Sequence, residues 1–209
     1  MTKRKPAPAP RAGQHGTKRP QSKRAAERIR ESAHDLFYRR GIRAVGVDEI
    51  VSRAGVTKPS LYRSFPSKDE LAADYLRHMS EDGMARFDAT IAARPDDPRA
   101  ALRIWILHLQ KKAAKSDYRG CGTSNAAIEY PDRKHPARKV ASDIKTRFRG
   151  RMTALAAAMG AKKPGRLGDA LMLLFEGVYC SGQVFGAGGP SRVLLEAAEL
   201  LIEAHCKRD

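Results

Sequence analysis

The chain has 209 residues, enough to bury one good-sized core or a small unit leaning on a larger one, and too few for two unrelated large domains. Forty Lys and Arg against twenty-three Asp and Glu give a formal charge of +17, a balance that favours a polyanionic partner, either nucleic acid or an acidic membrane surface. Cys121, Cys180 and Cys206 are odd in number and have no C-x-x-C spacing, which argues against a disulfide framework and a structural zinc site; reduced thiols, no metal and no cofactor are expected.

The first 24 residues hold eight cations and no acid. A stretch rich in Pro, Gly, Lys and Arg cannot bury a core, so residues 1–20 are expected to form a disordered basic arm that orders only on its partner. No apolar run follows these charges as a secretory signal requires, and no stretch of about 18 apolar residues is present to span a membrane. A cytosolic protein with no membrane partner is the expectation.

From Gln21 to Arg40 the apolar residues Ala26, Ile29, Ala33, Leu36 and Phe37 recur at helical spacing, and Gly41 followed by Ile42 reads as a stop. A short helix over Val47–Ala54 carries Asp48 and Glu49 in its first turn, buries Ile50, Val51 and Ala54, and ends at Gly55. Thr57 can cap a third helix, with Pro59 in its first turn, Leu61 and Phe65 on one side and Pro66 as terminator. Ser67 to Glu70 forms a capping box that opens a longer helix through Leu71, Tyr75, Leu76 and Met79.

Asp97 and Pro98 start a helix with Leu102, Trp105, Ile106 and Leu109 on its buried side. A glycine-bearing loop, SDYRGCG, leads to a short segment TSNAAIEY that Pro131 ends. Pro136 precedes a long helix through Val140, Ile144, Phe148, Met152, Leu155 and Met159, stopped by Gly160. Two more follow, over about 166–185 and 191–206, and His135 is placed in an exposed turn between helices. No segment alternates with period two, so the chain is all-α: a three-helix unit over 21–66 followed by a six-helix bundle over 67–209.

Two short helices joined at Gly55-Val56, the second capped and polar on one face, have the form of a helix-turn-helix, whose second helix lies in the DNA major groove. Val51, Val56 and Leu61 would hold the pair together while Lys58, Ser60, Tyr62 and Arg63 face phosphates and base edges. An ordinary αα-hairpin with a solvated face has the same local pattern.

The segment from LFYRRGI through VDEIVSRAGVTKPSLYRSFPSKDEL resembles the DNA-binding domain of TetR/AcrR-type transcriptional regulators over residues 26–76. The resemblance implies a ligand-responsive regulator, most often a repressor, that binds a palindromic double-stranded DNA operator as a homodimer and is released by a small-molecule effector. It places Thr57, Lys58, Pro59, Ser60, Tyr62, Arg63 and Lys68 at or near DNA. Val45 and Gly46 stand where the family usually has a Thr-Thr pair, so a capping hydroxyl is missing; Val51, Pro59 and Ser64 also depart from the family pattern.

In that family the last two helices form a four-helix dimer interface and the middle helices enclose an effector pocket. The stripes Leu171, Leu174, Phe175, Val178 and Leu194, Leu200, Leu201 are read as either that interface or the protomer's own core. Trp105, His108, Cys121, Asn125, Glu129, Phe148, Met152, Phe175 and Tyr179 are the pocket candidates, polar handles among aromatics. Asn125 and Glu129 draw notice because they lie four apart on one face of a short helix.

Three other readings stay open. An enzyme would need Cys121 as nucleophile, but no motif places a base near it, and no Gly-rich phosphate loop, metal cluster or G-x-S-x-G elbow occurs, so no catalytic residue is assigned. A redox-sensing repressor would use Cys121 or Cys180. A general nucleic-acid binder would rely on the arm and the net charge alone.

Overall fold

The computed structural model describes residues 21–206; the basic arm expected over residues 1–20 lies outside the described residues. Among these there are nine α-helices and no strand: α1 (Gln21–Arg40), α2 (Val47–Ala54), α3 (Lys58–Ser64), α4 (Lys68–Ala92), α5 (Pro98–Ala113), α6 (Gly122–Glu129), α7 (Pro136–Ala158), α8 (Pro164–Phe185) and α9 (Leu194–Cys206), with two 3₁₀ turns between the last two.

The helix ends follow the sequence signals. Thr57, Ser67 and Asp97 each accept a backbone N–H in the first turn of α3, α4 and α5, at 3.4, 3.1 and 2.9 Å. Gly46 precedes α2 without any side-chain cap, so Asp48 and Glu49 alone complement that helix's positive end. Gly55 closes α2 at φ +59°, its amide donating to Ser52, while Val56 reaches back to Val51; a side chain there would strain the backbone by about 1–2 kcal/mol.

His135 departs from the exposed turn expected of it. Its side chain is only 16% exposed: Nδ1 accepts the Ala137 N–H to cap α7, Nε2 lies 3.3 Å from Asp69, and the ring stacks on Tyr130 at 3.8 Å. A histidine directly before a proline-started helix can act as the cap, which a turn reading overlooks.

Two apolar cores hold the helices together. The first joins Ile29 and Phe37 of α1, Ile50 of α2, Leu61 of α3 and Leu71 and Leu76 of α4 to Ala126 of α6 and Ala137, Ala141 and Ile144 of α7. The second gathers Phe87, Leu102, Ile106, Met152, Leu155, Leu167, Leu171, Phe175, Leu194 and Ile202. Phe148 packs against both. Leu61 is fully buried and is the only wholly buried side chain of the seven-residue α3; truncating it to Ala would cost roughly 2–5 kcal/mol and release that helix.

The two stripes read as interface or core divide by residue. Leu171, Phe175, Val178 and Leu194 lie in the second core, and Leu174 and Leu201 pack half-buried against it. Leu200 is exposed, and with it Leu173, Val184, Phe185 and Val193. Leu173, Gly177, Cys180 and Val184 fall on one face of α8, and Val193, Ala197, Leu200 and Ala204 recur with the same spacing through the start of α9 and along it. The expected apolar faces exist, but one position over from most of the residues named for them.

Pro164–Gly188 is long and apolar enough to cross a membrane by length and composition, with a mean hydropathy of 1.3. Its apolar residues serve two faces, one toward the second core and one toward the surface.

Candidate DNA-reading face and ligand cavity

Helix α3 is fixed on one side by Leu61 and presents the other. Thr57, Lys58, Pro59, Tyr62 and Arg63 are exposed and Ser60 is half-buried. Several of these side chains are engaged locally. Lys58 Nζ lies 2.7 Å from Asp48 Oδ1 on α2. Arg63 donates to Ser60 Oγ at 3.3 Å, and Thr57 Oγ1 donates to the same hydroxyl at 3.1 Å. Tyr62 has no such tie and stands 48% exposed.

Lys68 sits at the start of α4, where its Nζ donates to the Arg43 carbonyl at 3.3 Å. Burial pushes its pKa down, with Arg43 adding to that and the Asp69 and Glu129 carboxylates opposing it. Lys68 thus braces the α1–α2 loop as well as carrying a charge.

That loop is held from the other side by α6. Glu129 Oε2 accepts the Arg43 N–H at 2.7 Å, and Arg43 Nη1 donates to the Glu129 carbonyl at 3.4 Å. Upstream, the Tyr38 hydroxyl accepts the Arg119 N–H at 3.1 Å, and Asn125 Nδ2 donates to the Arg119 carbonyl at 2.8 Å. The segment leading into α6 packs so closely that only glycine fits: Gly120 has φ +69°, and a Cβ there would collide with Gln183 and with the Tyr179 carbonyl.

A cavity of about 470 Å³ opens between α1, α4, α5, α7, α8 and the start of α6. Trp105, His108, Cys121, Phe148 and Tyr179 all line it, together with Tyr118, Thr123, Lys145, His34 and Lys112. Its aromatic side chains are joined from behind by the core residue Phe87, which meets Trp105 edge to face at 5.2 Å and Phe148 at 5.3 Å, and His108 stacks on Trp105 at 6.0 Å. Tyr179 lies beneath Lys145, whose ammonium is 5.0 Å from the ring centroid. Burial raises the Tyr179 phenol well above its ordinary pKa, so it stays a neutral donor.

Four of the nine pocket candidates do not line this cavity. Met152 and Phe175 are fully buried in the second core, Phe175 behind Phe148 at 6.3 Å. Asn125 and Glu129 face the neighbouring loops, where they tie α6 in place. Tyr118, Thr123 and Lys145 were not singled out by sequence. Lys145 adjoins the apolar positions Ile144 and Phe148, and Tyr118 interrupts a glycine-bearing loop; both were signals of a polar group pressed against an apolar wall.

The model of bacterial regulatory proteins of the tetR family matches residues 29–75, which span most of α1 through the first turns of α4. The HTH-type transcriptional activator FasR of Mycolicibacterium smegmatis is 55% identical over 40 residues, 19% of this chain and 18% of that protein. The HTH-type transcriptional regulator AcrR of Shigella flexneri is 27% identical over 94 residues, 44% of this chain and 43% of that protein. The chain therefore matches less than half the length of these curated relatives. Solved structures extend the likeness. SCO4454, a TetR-family transcriptional regulator from Streptomyces coelicolor, superposes with a TM-score of 0.83 at 28% identity, covering 88% of this chain and 97% of that one. A TetR-type regulator (sav143) from Streptomyces avermitilis gives 0.74 at 30% identity, covering 88% and 99%.

A helix-turn-helix at the front of an all-α bundle defines a DNA-binding transcriptional regulator rather than an enzyme. The chain belongs to the TetR family.

Proposed function

We propose that this protein is a ligand-responsive repressor which binds a palindromic operator as a homodimer in the cytoplasm. The observation that carries the reading is the exposed face of α3, where Tyr62, Arg63 and Lys58 project from a helix anchored by a single buried leucine. In this division residues 21–66 read DNA and the chain from 67 onward binds the effector and the second protomer. Tyr62, Lys58 and Lys68 serve phosphates, while Thr57, Pro59, Ser60 and Arg63 lie close to base edges.

The homodimer is supported by the two exposed apolar faces on α8 and α9. Gly177, Ala197 and Ala204 among Leu173, Val184 and Leu200 allow two helix pairs to approach closely around a two-fold axis. That axis would set two α3 helices in successive major grooves.

Release by a ligand is supported by the path between cavity and head. Cys121 and Thr123 begin α6 in the cavity wall, and Glu129 ends it on Arg43, in the loop before α2. A ligand that shifts α6 moves that loop, and by linkage DNA weakens the ligand's binding by the same factor.

Selection of bound sequences from a random duplex pool at physiological salt tests the reading. Recovery of a palindrome supports it. Recovery of no motif, with binding that depends only on salt, would replace it with a general nucleic-acid binder.

A further inference from the structure

The cavity wall holds a thiol in a setting that bare packing does not require. Cys121 Sγ lies 3.4 Å from Lys145 Nζ and 2.9 Å from Thr123 Oγ1. Lys145 is fixed from two further sides, by an ion pair with Glu176 and by the Tyr179 ring face at 5.0 Å. Glu176 in turn accepts from Ser124 Oγ at 2.7 Å, so the cluster is closed around the sulfur. Burial pushes the thiol's pKa up, but the Lys145 ammonium and hydrogen bonds from Thr123 and Ser124 outweigh it, and the net direction is down.

Two residues that line the same space carry buried donors without a partner. Tyr118 is 6% exposed, borders the cavity and has a hydroxyl with no hydrogen-bond partner. The buried Trp105 Nε1 also has none. A buried donor left unpaired has lost its bond to water without replacement, which a ligand oxygen would supply. A ligand suited to this wall has an apolar body, a carbonyl oxygen for those donors and a carbon that accepts an electron pair from sulfur.

We propose that Cys121 is a covalent attachment site for small α,β-unsaturated carbonyl compounds, enones and enals that fit the cavity. The proposal rests on the cavity being the effector site and names the chemical class it takes. In the step, a Cys121 Sγ lone pair forms a C–S bond to the β-carbon, and the C=C π pair moves toward the carbonyl as an enolate. One proton from water then adds at the α-carbon, replacing the one the thiol gave up. The net change is addition of S–H across the double bond, with no oxidant or reductant. Lys145 favours the thiolate over the thiol and holds the sulfur in place, while Tyr118 and Trp105 offer hydrogen bonds to the carbonyl oxygen.

The adduct forms at the first turn of α6, eight residues from Glu129 and its hold on Arg43. Lys145 is a positioning residue: it acts on the ligand through Cys121.

The test treats the full-length protein at pH 7 with 2-cyclohexen-1-one, with saturated cyclohexanone as control, and maps adducts by peptide mass. Cys180 is exposed in the protomer but lies on the α8 face assigned to the dimer, so the half-buried Cys206 and added N-acetylcysteine serve as references. The proposal expects Cys121 to react first, about tenfold faster than N-acetylcysteine, and Lys145→Met to remove that advantage while Lys145→Arg keeps it. Labelling of Cys121 no faster than N-acetylcysteine overturns it, as does an unchanged rate in Lys145→Met. Affinity for a selected duplex separates the two claims. An adduct on Cys121 that leaves DNA binding unchanged supports the covalent site and overturns the effector reading. Release of DNA by cyclohexenone and cyclohexanone alike, with Cys121 unmodified, does the reverse.

Discussion

Glu129 and Arg43 are 86 positions apart in sequence, and the carboxylate of one accepts the backbone N–H of the other at 2.7 Å. The contact joins the end of α6 to the loop that enters the helix-turn-helix, with Gly41 so close that its Cβ position lies 3.0 Å from the Glu129 carboxylate.

Glu129→Ala is expected to leave the Arg43 amide without its acceptor. Hydrogen exchange there should quicken by about tenfold, equivalent to about 1.4 kcal/mol, while the Leu61 amide in the head core is unaffected. Unaltered exchange at Arg43 would mean that α6 does not hold the loop in solution.

Asp48 is 80% exposed and pairs with Lys58 on the face assigned to DNA. Asp48→Asn should free Lys58 and remove a charge that repels phosphate. Affinity for a non-specific duplex is expected to rise about threefold at low salt, with the gain shrinking as salt rises. A fall in affinity would show instead that Asp48 orients Lys58 for binding.

The apolar faces of α8 and α9 are where the sequence was least informative. Helix ends were legible because each depends on a few neighbouring residues: Thr57, Ser67 and Asp97 cap where they were expected to, and Gly55 ends α2. Which side of an amphipathic helix meets its own core and which meets solvent depends on the crossing of α7, α8 and α9, and that is not local information. Phe175 therefore lies in the core and Leu173 on the surface, though two positions apart. The cavity was half legible for the same reason. Trp105, Cys121 and Tyr179 carry their chemistry visibly, whereas Lys145 becomes part of the site only once α7 packs beside the start of α6.

Leu173 and Leu200, 73% and 62% exposed, test the dimer. Leu173→Glu combined with Leu200→Glu should convert a dimer to a monomer in sedimentation and weaken operator binding at least about a hundredfold, because two heads no longer bind together. A dimer that survives both changes would place the interface elsewhere.

His34 gives a pH dependence. Burial is the largest influence on its ring and lowers its pKa from the ordinary value of 6.5, with Asp35 and Asp82 opposing and His78 assisting. In the unfolded chain the ring takes its proton near 6.5, and in the folded chain only at lower pH. The unfolded state therefore binds more protons between those values, and stability rises with pH across that window. This contribution is complete above 6.5 and is lost as pH falls through the folded value. Urea unfolding at pH 5 and 7.5 should show a smaller difference in His34→Asn than in the parent; equal differences would remove His34 as the cause.

The most direct measurement of the central claim is a hydroxyl-radical footprint on the duplex recovered by selection. Two α3 helices related by a two-fold axis predict two symmetric protected patches about one helical turn apart, both lost in Arg63→Ala. Continuous or single-patch protection, unchanged by Arg63→Ala, would contradict a dimer that reads its operator through α3.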